Sequence, residues 1–191
     1  MSDGETWRRF ERVAMPHLDA AYNLARWLTR NDHDAQDVVQ EALMRAMRYV
    51  DGFRGDSGRA WLLQIVRNTC YTWLKENRPV DQTTLDDFDE AAHAVAAPAA
   101  HEPPAMAMRK ADKAQIDAAI AALPVAYREV LVLRELEDLP YADIARIAEI
   151  PVGTVMSRLS RARALIRASL TAVARPQLRN VARPVQAGGT S

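Results

Sequence analysis

Between Asp34 and Val50 the apolar positions are Val38, Val39, Ala42, Leu43, Ala46, Met47 and Val50. That i, i+1, i+4, i+5 stripe is sustained over four turns and predicts an amphipathic helix. Asn31 to Asp34 supply N-cap candidates and early acids that suit the helix dipole. The run from Asp51 to Gly58 breaks the period as a loop. A second strong helix comes next, with Trp61, Leu62, Ile65, Val66, Thr69 and Trp73 on one face. Ahead of both, Trp7 to Met15 and Pro16 to Thr29 predict two more helices, with Pro16 in a first turn.

The C-terminal part is patterned the same way. Ile116, Ala119, Ile120 and Leu123 mark a short amphipathic helix. Pro124 opens the next, whose apolar set is Tyr127, Val130, Leu131 and Leu133. Pro140 starts a short helix through Ala148, and a long one runs from the Pro151 turn to about Ala174. Strand signals are absent, so the fold class is all-α: two small helical domains joined by a flexible linker. The expected bounds are 1–78 for the first domain, 79–111 for the linker, 112–174 for the second domain and 175–191 for a frayed tail.

Composition narrows the class. The 191 residues hold 25 Lys and Arg against 25 Asp and Glu, a net charge of zero. At face value that opposes a nucleic-acid partner, because phosphate contacts need basic surface. The distribution says otherwise: residues 1–78 carry 12 bases and 11 acids, and 79–108 carry six acids and no base. Residues 109–149 carry six bases and eight acids, and 150–191 carry seven arginines and no acid. The linker is therefore acidic and the C-terminal segment strongly basic, which raises the idea that the linker competes with DNA for the arginines. The chain has one cysteine, Cys70, which excludes an internal disulfide and a cysteine metal cluster. No apolar run reaches the roughly 18 residues of a membrane span, and the acidic N-terminus does not read as a signal peptide. The expectation is a soluble cytoplasmic protein without membrane insertion. No Gly-rich phosphate loop, nucleophile elbow or metal-ligand spacing occurs, so no enzyme activity, metal, cofactor or small-molecule substrate is expected. His17, His33, His93 and His101 are scattered and expected at the surface.

Three segments carry candidate chemistry. Tyr141 to Leu159 has the form of a helix-turn-helix, with Ala145 at the crossing, a turn near Glu149-Ile150, and Val155 and Leu159 as anchors. On its second helix Val155, Leu159, Ala162 and Ile166 share one face. Ser157, Ser160, Arg161 and Ala164 share another, with Arg158 beside them. Hydroxyls and arginines on one side suit a major groove; a solvated helix with solubilising arginines is the plain alternative. The helix Arg59–Arg78 shows Gln64, Arg67, Asn68, Tyr71, Lys75 and Arg78 opposite its apolar stripe. Such a face can hold a phosphate backbone and stack unpaired bases, and an ordinary surface helix has the same pattern. Asp34, Asp37 and Glu41 share a face, which fits a protein-docking or solvated surface better than a metal site without histidine.

In this order the segments resemble the bacterial extracytoplasmic-function (ECF) sigma factors, over about residues 8–78 and 112–172. Asp34-Ala35-Gln36-Asp37-Val38-Val39-Gln40-Glu41 is similar to the helix that binds core polymerase. Phe53-Arg54-Gly55 through Arg67-Asn68 is similar to the loop and helix that read and melt the −10 element. Tyr127-Arg128-Glu129-Val130-Leu131 through Arg163 is similar to the −35-reading domain. The resemblance implies an alternative sigma factor that binds core RNA polymerase and promoter DNA, acts in a stress or envelope response, and is held by an anti-sigma factor. It implies core-polymerase contacts at Asp34, Asp37, Gln40 and Glu41. It implies −10 contacts at Phe53, Arg54, Asp56, Ser57, Arg67, Asn68, Tyr71 and Lys75. It implies −35 contacts at Thr154, Ser157, Arg158, Ser160 and Arg161. Met156 stands where the family often has Lys or Arg, and Lys75-Glu76-Asn77-Arg78 is less basic than the family tends to be. The competing readings are a stand-alone helix-turn-helix regulator and an enzyme using the Asp34 helix carboxylates.

Overall fold

The computed structural model describes residues 3–77 and 104–181, with side chains from 4 to 77 and from 112 to 172. The N-terminal helices are α1 (Asp3–Val13), α2 (Leu18–Thr29), α3 (Asp32–Tyr49) and α4 (Gly58–Asn77). They are followed by α5 (Pro104–Ala122), α6 (Val125–Leu131), α7 (Tyr141–Ala148) and α8 (Val152–Val181). Short 3₁₀ turns cover Met15–His17 and Val50–Gly52, and a π turn covers Val132–Leu136. No strand occurs among the described residues, and the all-α expectation holds.

Helix boundaries reflect local chemistry. The Asn31 side chain accepts from the His33 and Asp34 backbone N–H groups and caps α3. Pro16 lies in the 3₁₀ turn before α2 rather than in the first turn of α2. Arg30, at φ 62°, closes α2 in a left-handed conformation. At the N-terminus of α4, Gly58 lies so close to the Val13 carbonyl that a Cβ would overlap its oxygen. Only glycine admits that approach.

Helices α2, α3 and α4 pack on one another; α4 also meets α7, and α2 meets α6. The α3 seam is a line of small and branched residues, Ala35, Val38, Ala42 and Ala46, fully buried. Val39, Leu43 and Met47 are half-buried beside it. On α4 the fully buried set is Ala60, Leu62, Leu63, Val66, Thr69 and Cys70. Trp61, Ile65 and Trp73, expected on the buried stripe, are only half-buried. The stripe is broader than a single face because α4 is contacted from two sides.

The core continues through Tyr127, Val130, Leu131, Leu133, Ile144, Ile147, Val155, Leu159 and Ala162. The described residues up to Asn77 and those from Pro124 to Ala162 form one compact unit. A second unit holds α5 through Leu123 and α8 from Arg163 onward; among its described residues Ala119, Ile120 and Leu123 are buried. Two boundaries differ from expectation. Helix α5 begins at Pro104, earlier than residue 112, and α8 runs past Arg175 and Pro176 to Val181. The acidic run 79–103 and the tail beyond Val181 lie outside the described residues, as do His93 and His101. His33 is exposed, whereas His17 is half-buried, and burial together with nearby Arg59 lowers its pKa.

Candidate nucleic-acid interface

Helix α7 ends at Glu149, which adopts a left-handed conformation at φ 56°. The Ile150 N–H then reaches back to the Ala145 carbonyl at 3.0 Å, the 6→1 bond of a Schellman turn. The Pro151 carbonyl receives the Thr154 and Val155 N–H groups and starts α8. Ile144 and Ile147 on α7 and Val155 and Leu159 on α8 are buried, and a tight turn joins the two helices, as the helix-turn-helix read in the sequence requires. Its outer face carries exposed Ser157, Ser160, Arg161 and Met156, with Thr154 and Arg158 half-buried. The Ser157 hydroxyl donates to the Thr154 carbonyl at 3.0 Å, and Arg161 donates to the Tyr127 hydroxyl at 3.3 Å.

A second site forms where the loop after α3 meets α4. Phe53 lies against Trp61, their ring centroids 5.0 Å apart. Arg9 and Arg54 both donate to the Phe53 carbonyl, which fixes the loop backbone. Ser57 caps α4 by accepting from the Ala60 N–H at 3.2 Å. The result is an open pocket of about 460 Å³ walled by Tyr49, Phe53 and Trp61 with Arg54, Gln64 and Arg146. Aromatic planes beside guanidinium and amide donors can stack a base and hold its edge. Asp56 is exposed at the loop rim.

Farther along α4 the polar face is occupied from within the chain. Arg67 Nε donates to Glu129 Oε1 at 2.7 Å, and the Tyr71 hydroxyl donates to Glu129 Oε2 at 2.8 Å. The Arg67 guanidinium also lies 4.2 Å from the Tyr71 ring centroid. Glu129 is fully buried; burial pushes its carboxyl up, while Arg67 and Tyr71 pull it back. Gln64 and Asn68 donate to Glu149 at 3.1 and 3.3 Å, and these bonds lower the Glu149 pKa. Arg59 and Asn23 each donate to Glu137 at 2.5 Å. Lys75 is exposed at the far end of the helix.

The residues expected at a protein-docking face lie on α3. Asp37 and Gln40 are exposed, and Asp34 and Glu41 are half-buried. Glu41 pairs with Arg45 at 2.7 Å, and His33 lies 3.8 Å from Asp37. No group of three His, Cys, Asp or Glu among the described residues could hold a metal ion.

Comparison with known proteins decides the family. Residues 13–80 match the model for sigma-70 region 2, and residues 113–166 match that for sigma-70 region 4. The RNA polymerase sigma-H factor of Pseudomonas aeruginosa is 36% identical over 165 residues, covering 83% of this chain and 84% of that one. The ECF RNA polymerase sigma-E factor of Escherichia coli K12 is 37% identical, covering 70% of this chain and 72% of that one. The chain belongs to the ECF sigma factors of the sigma-70 family. Among solved structures, the sigma factor RpoE of Bartonella quintana, in complex with the anti-sigma factor NepR, is 28% identical. It covers 85% of this chain and 96% of its own, with a TM-score of 0.64. CnrH, in complex with the cytosolic domain of CnrY, shares the fold at 23% identity and a TM-score of 0.61, covering 89% and 95%. This sigma factor thus carries region 2 on α2–α4 and region 4 within α5–α8. No described helix is long and apolar enough to cross a membrane.

Sequence reasoning grouped Arg67, Asn68 and Tyr71 correctly on one face but missed what covers it. Glu129 was the available signal: an acid inside the apolar run Tyr127–Leu133 has no place in a core without a cation. Arg146, Tyr49 and Trp61 as pocket walls were also missed, since they come from three separate segments.

Proposed function

We propose that this sigma factor docks on core RNA polymerase through Asp34, Asp37, Gln40 and Glu41 and directs it to a two-part promoter. Region 4 reads the −35 element through Thr154, Ser157, Arg158, Ser160 and Arg161. The Phe53–Ser57 loop captures an unpaired base of the −10 element, and Arg67, Asn68, Tyr71 and Lys75 guide the opened strand. Its work is binding, not catalysis, and its place is with the cytoplasmic polymerase. The single observation that carries this reading is the pairing, on one chain, of an aromatic-walled open pocket and a helix-turn-helix with an arginine face. A stand-alone regulator is not favoured, because it leaves residues 13–80 without a task. Likeness to a sigma factor solved with NepR supports control by an anti-sigma factor.

The test is reconstitution with purified core polymerase and run-off transcription from start sites mapped after overexpression. Promoter-specific transcripts are expected only with the added chain. Absence of polymerase binding and of specific initiation would overturn the reading.

A further inference from the structure

We infer that the chain holds itself shut: three carboxylates of region 4, Glu129, Glu137 and Glu149, occupy the strand-guiding face of region 2 in place of DNA phosphates. This deepens the proposed function and rests on its assignment of that face. Arg67, Asn68 and Tyr71 are the expected strand contacts, and all three donate to region 4 acids at 2.7 to 3.3 Å. Gln64 adds a fourth donor and Arg59, at the start of α4, a fifth. Guanidinium and hydroxyl donors recognise carboxylate and phosphate oxygens by the same charge-assisted geometry, so one ligand excludes the other. The exclusion is steric too, because helix α7 packs directly on α4. Tyr71 is half-buried in this arrangement, and the Arg67 guanidinium already lies over its ring, so a base cannot stack there.

The acids are spread so that the contact acts as a clasp. Glu129 engages the middle of α4, Glu149 the adjacent turn and Glu137 the N-terminal end together with Asn23 of α2. All belong to region 4, and all their partners to region 2. Opening therefore uncovers the strand-guiding face of region 2 in one step. The masking sits on region 2 and comes from region 4.

The acids can be changed without touching the DNA face. The test uses the full chain and a Glu129→Gln, Glu137→Gln, Glu149→Gly variant. Small-angle scattering gives the radius of gyration, and fluorescence anisotropy gives affinity for a labelled mixed-sequence single-stranded oligonucleotide. The variant is expected to expand and to bind the oligonucleotide at least tenfold more tightly, while still supporting run-off transcription at saturating core polymerase. Unchanged size and affinity would overturn the proposal. Should the triple variant lose its helical circular dichroism, Glu149→Gly alone replaces it, because glycine suits that left-handed position. It is expected to bind at least threefold more tightly, and wild-type protein is expected to expand between 0.1 and 1 M salt, about the range over which screening shortens to roughly 3 Å. A compact protein at both salts with unchanged affinity would overturn the clasp. Loss of transcription in every form, with scattering and affinity as expected, would instead count against the sigma-factor reading.

Discussion

Arg67 and Glu129 stand 62 residues apart in the chain, yet the Arg67 Nε donates to the Glu129 carboxylate at 2.7 Å. Glu129 is fully enclosed, so it has no water to fall back on. Removing its cation leaves a buried charge, a loss of about 3–5 kcal/mol for the closed form. Arg67→Ala is therefore expected to lower the urea midpoint followed by tryptophan fluorescence, and Arg67→Lys to restore part of it. Equal midpoints for wild type and Arg67→Ala would show that the pair contributes nothing.

Arg161 is exposed on the outer face of α8 and touches the Tyr127 hydroxyl. Arg161→Ala is expected to weaken binding to the −35 element by about 1–3 kcal/mol and to relax base preference there. Selection of bound sequences from a random pool checks both effects; an unaltered preference would remove Arg161 from the recognition set.

Leu159, on α8, is 1% exposed. Leu159→Ala removes buried volume that rigid neighbours cannot refill, at about 2–5 kcal/mol. Thermal unfolding should shift accordingly and −35 binding should fall with it. A variant with native melting would mean the helix-turn-helix repacks freely.

Gly58 has no room for a side chain, because the Val13 carbonyl would meet any Cβ. The obstacle is backbone, so α4 must shift away from α1 or distort its first turn. Gly58→Ala is expected to cost about 1–3 kcal/mol, an over-packing loss. It should also disturb the pocket, since Ser57 and Trp61 flank this point. Denaturant unfolding measures the first effect.

Alkaline pH should weaken the fold. Burial pushes the Cys70 thiol up to about 12, and burial beside Glu129 pushes the Tyr71 hydroxyl up as well. Both groups stay protonated in the native protein when the unfolded chain has begun to ionise. Their stabilising share is complete below the thiol's ordinary value of 9.0 and is lost as pH rises above it. Urea midpoints between pH 7 and 10.5 are expected to hold steady and then fall, with a smaller fall in Cys70→Ala. Native Cys70 should resist iodoacetamide until the chain unfolds, because the reactive thiolate is suppressed. Rapid alkylation at pH 8 would contradict this burial.

Much of the fold was legible because the apolar period of α3 and α8 is local information. Val38, Ala42 and Ala46 on α3, and Val155, Leu159 and Ala162 on α8, face inward as their spacing predicts. Asn31 announces its own helix start. Contacts between distant segments were not legible. The stripe read on α4 favoured Trp61 and Trp73 over Leu63 and Cys70, because a helix packed from two sides has no single apolar face. The polar face of α4 looked like an ordinary wet surface, since nothing in its own residues reveals that Glu129 and Glu149 arrive from elsewhere. The site was legible as residue types on helices and illegible as partnerships.

The π turn at Val132–Leu136 sets the direction of the chain beyond it. The Glu137 N–H reaches the Val132 carbonyl, five residues back instead of four, at 3.1 Å. One surplus residue rotates the downstream chain by about 100° relative to an unbroken α-helix, the angle of a single residue at 3.6 per turn. The turn thus works as a phase shifter. It lets α6 keep its apolar side in the core while Glu137 points at Arg59 and Asn23 instead of continuing the helix in register.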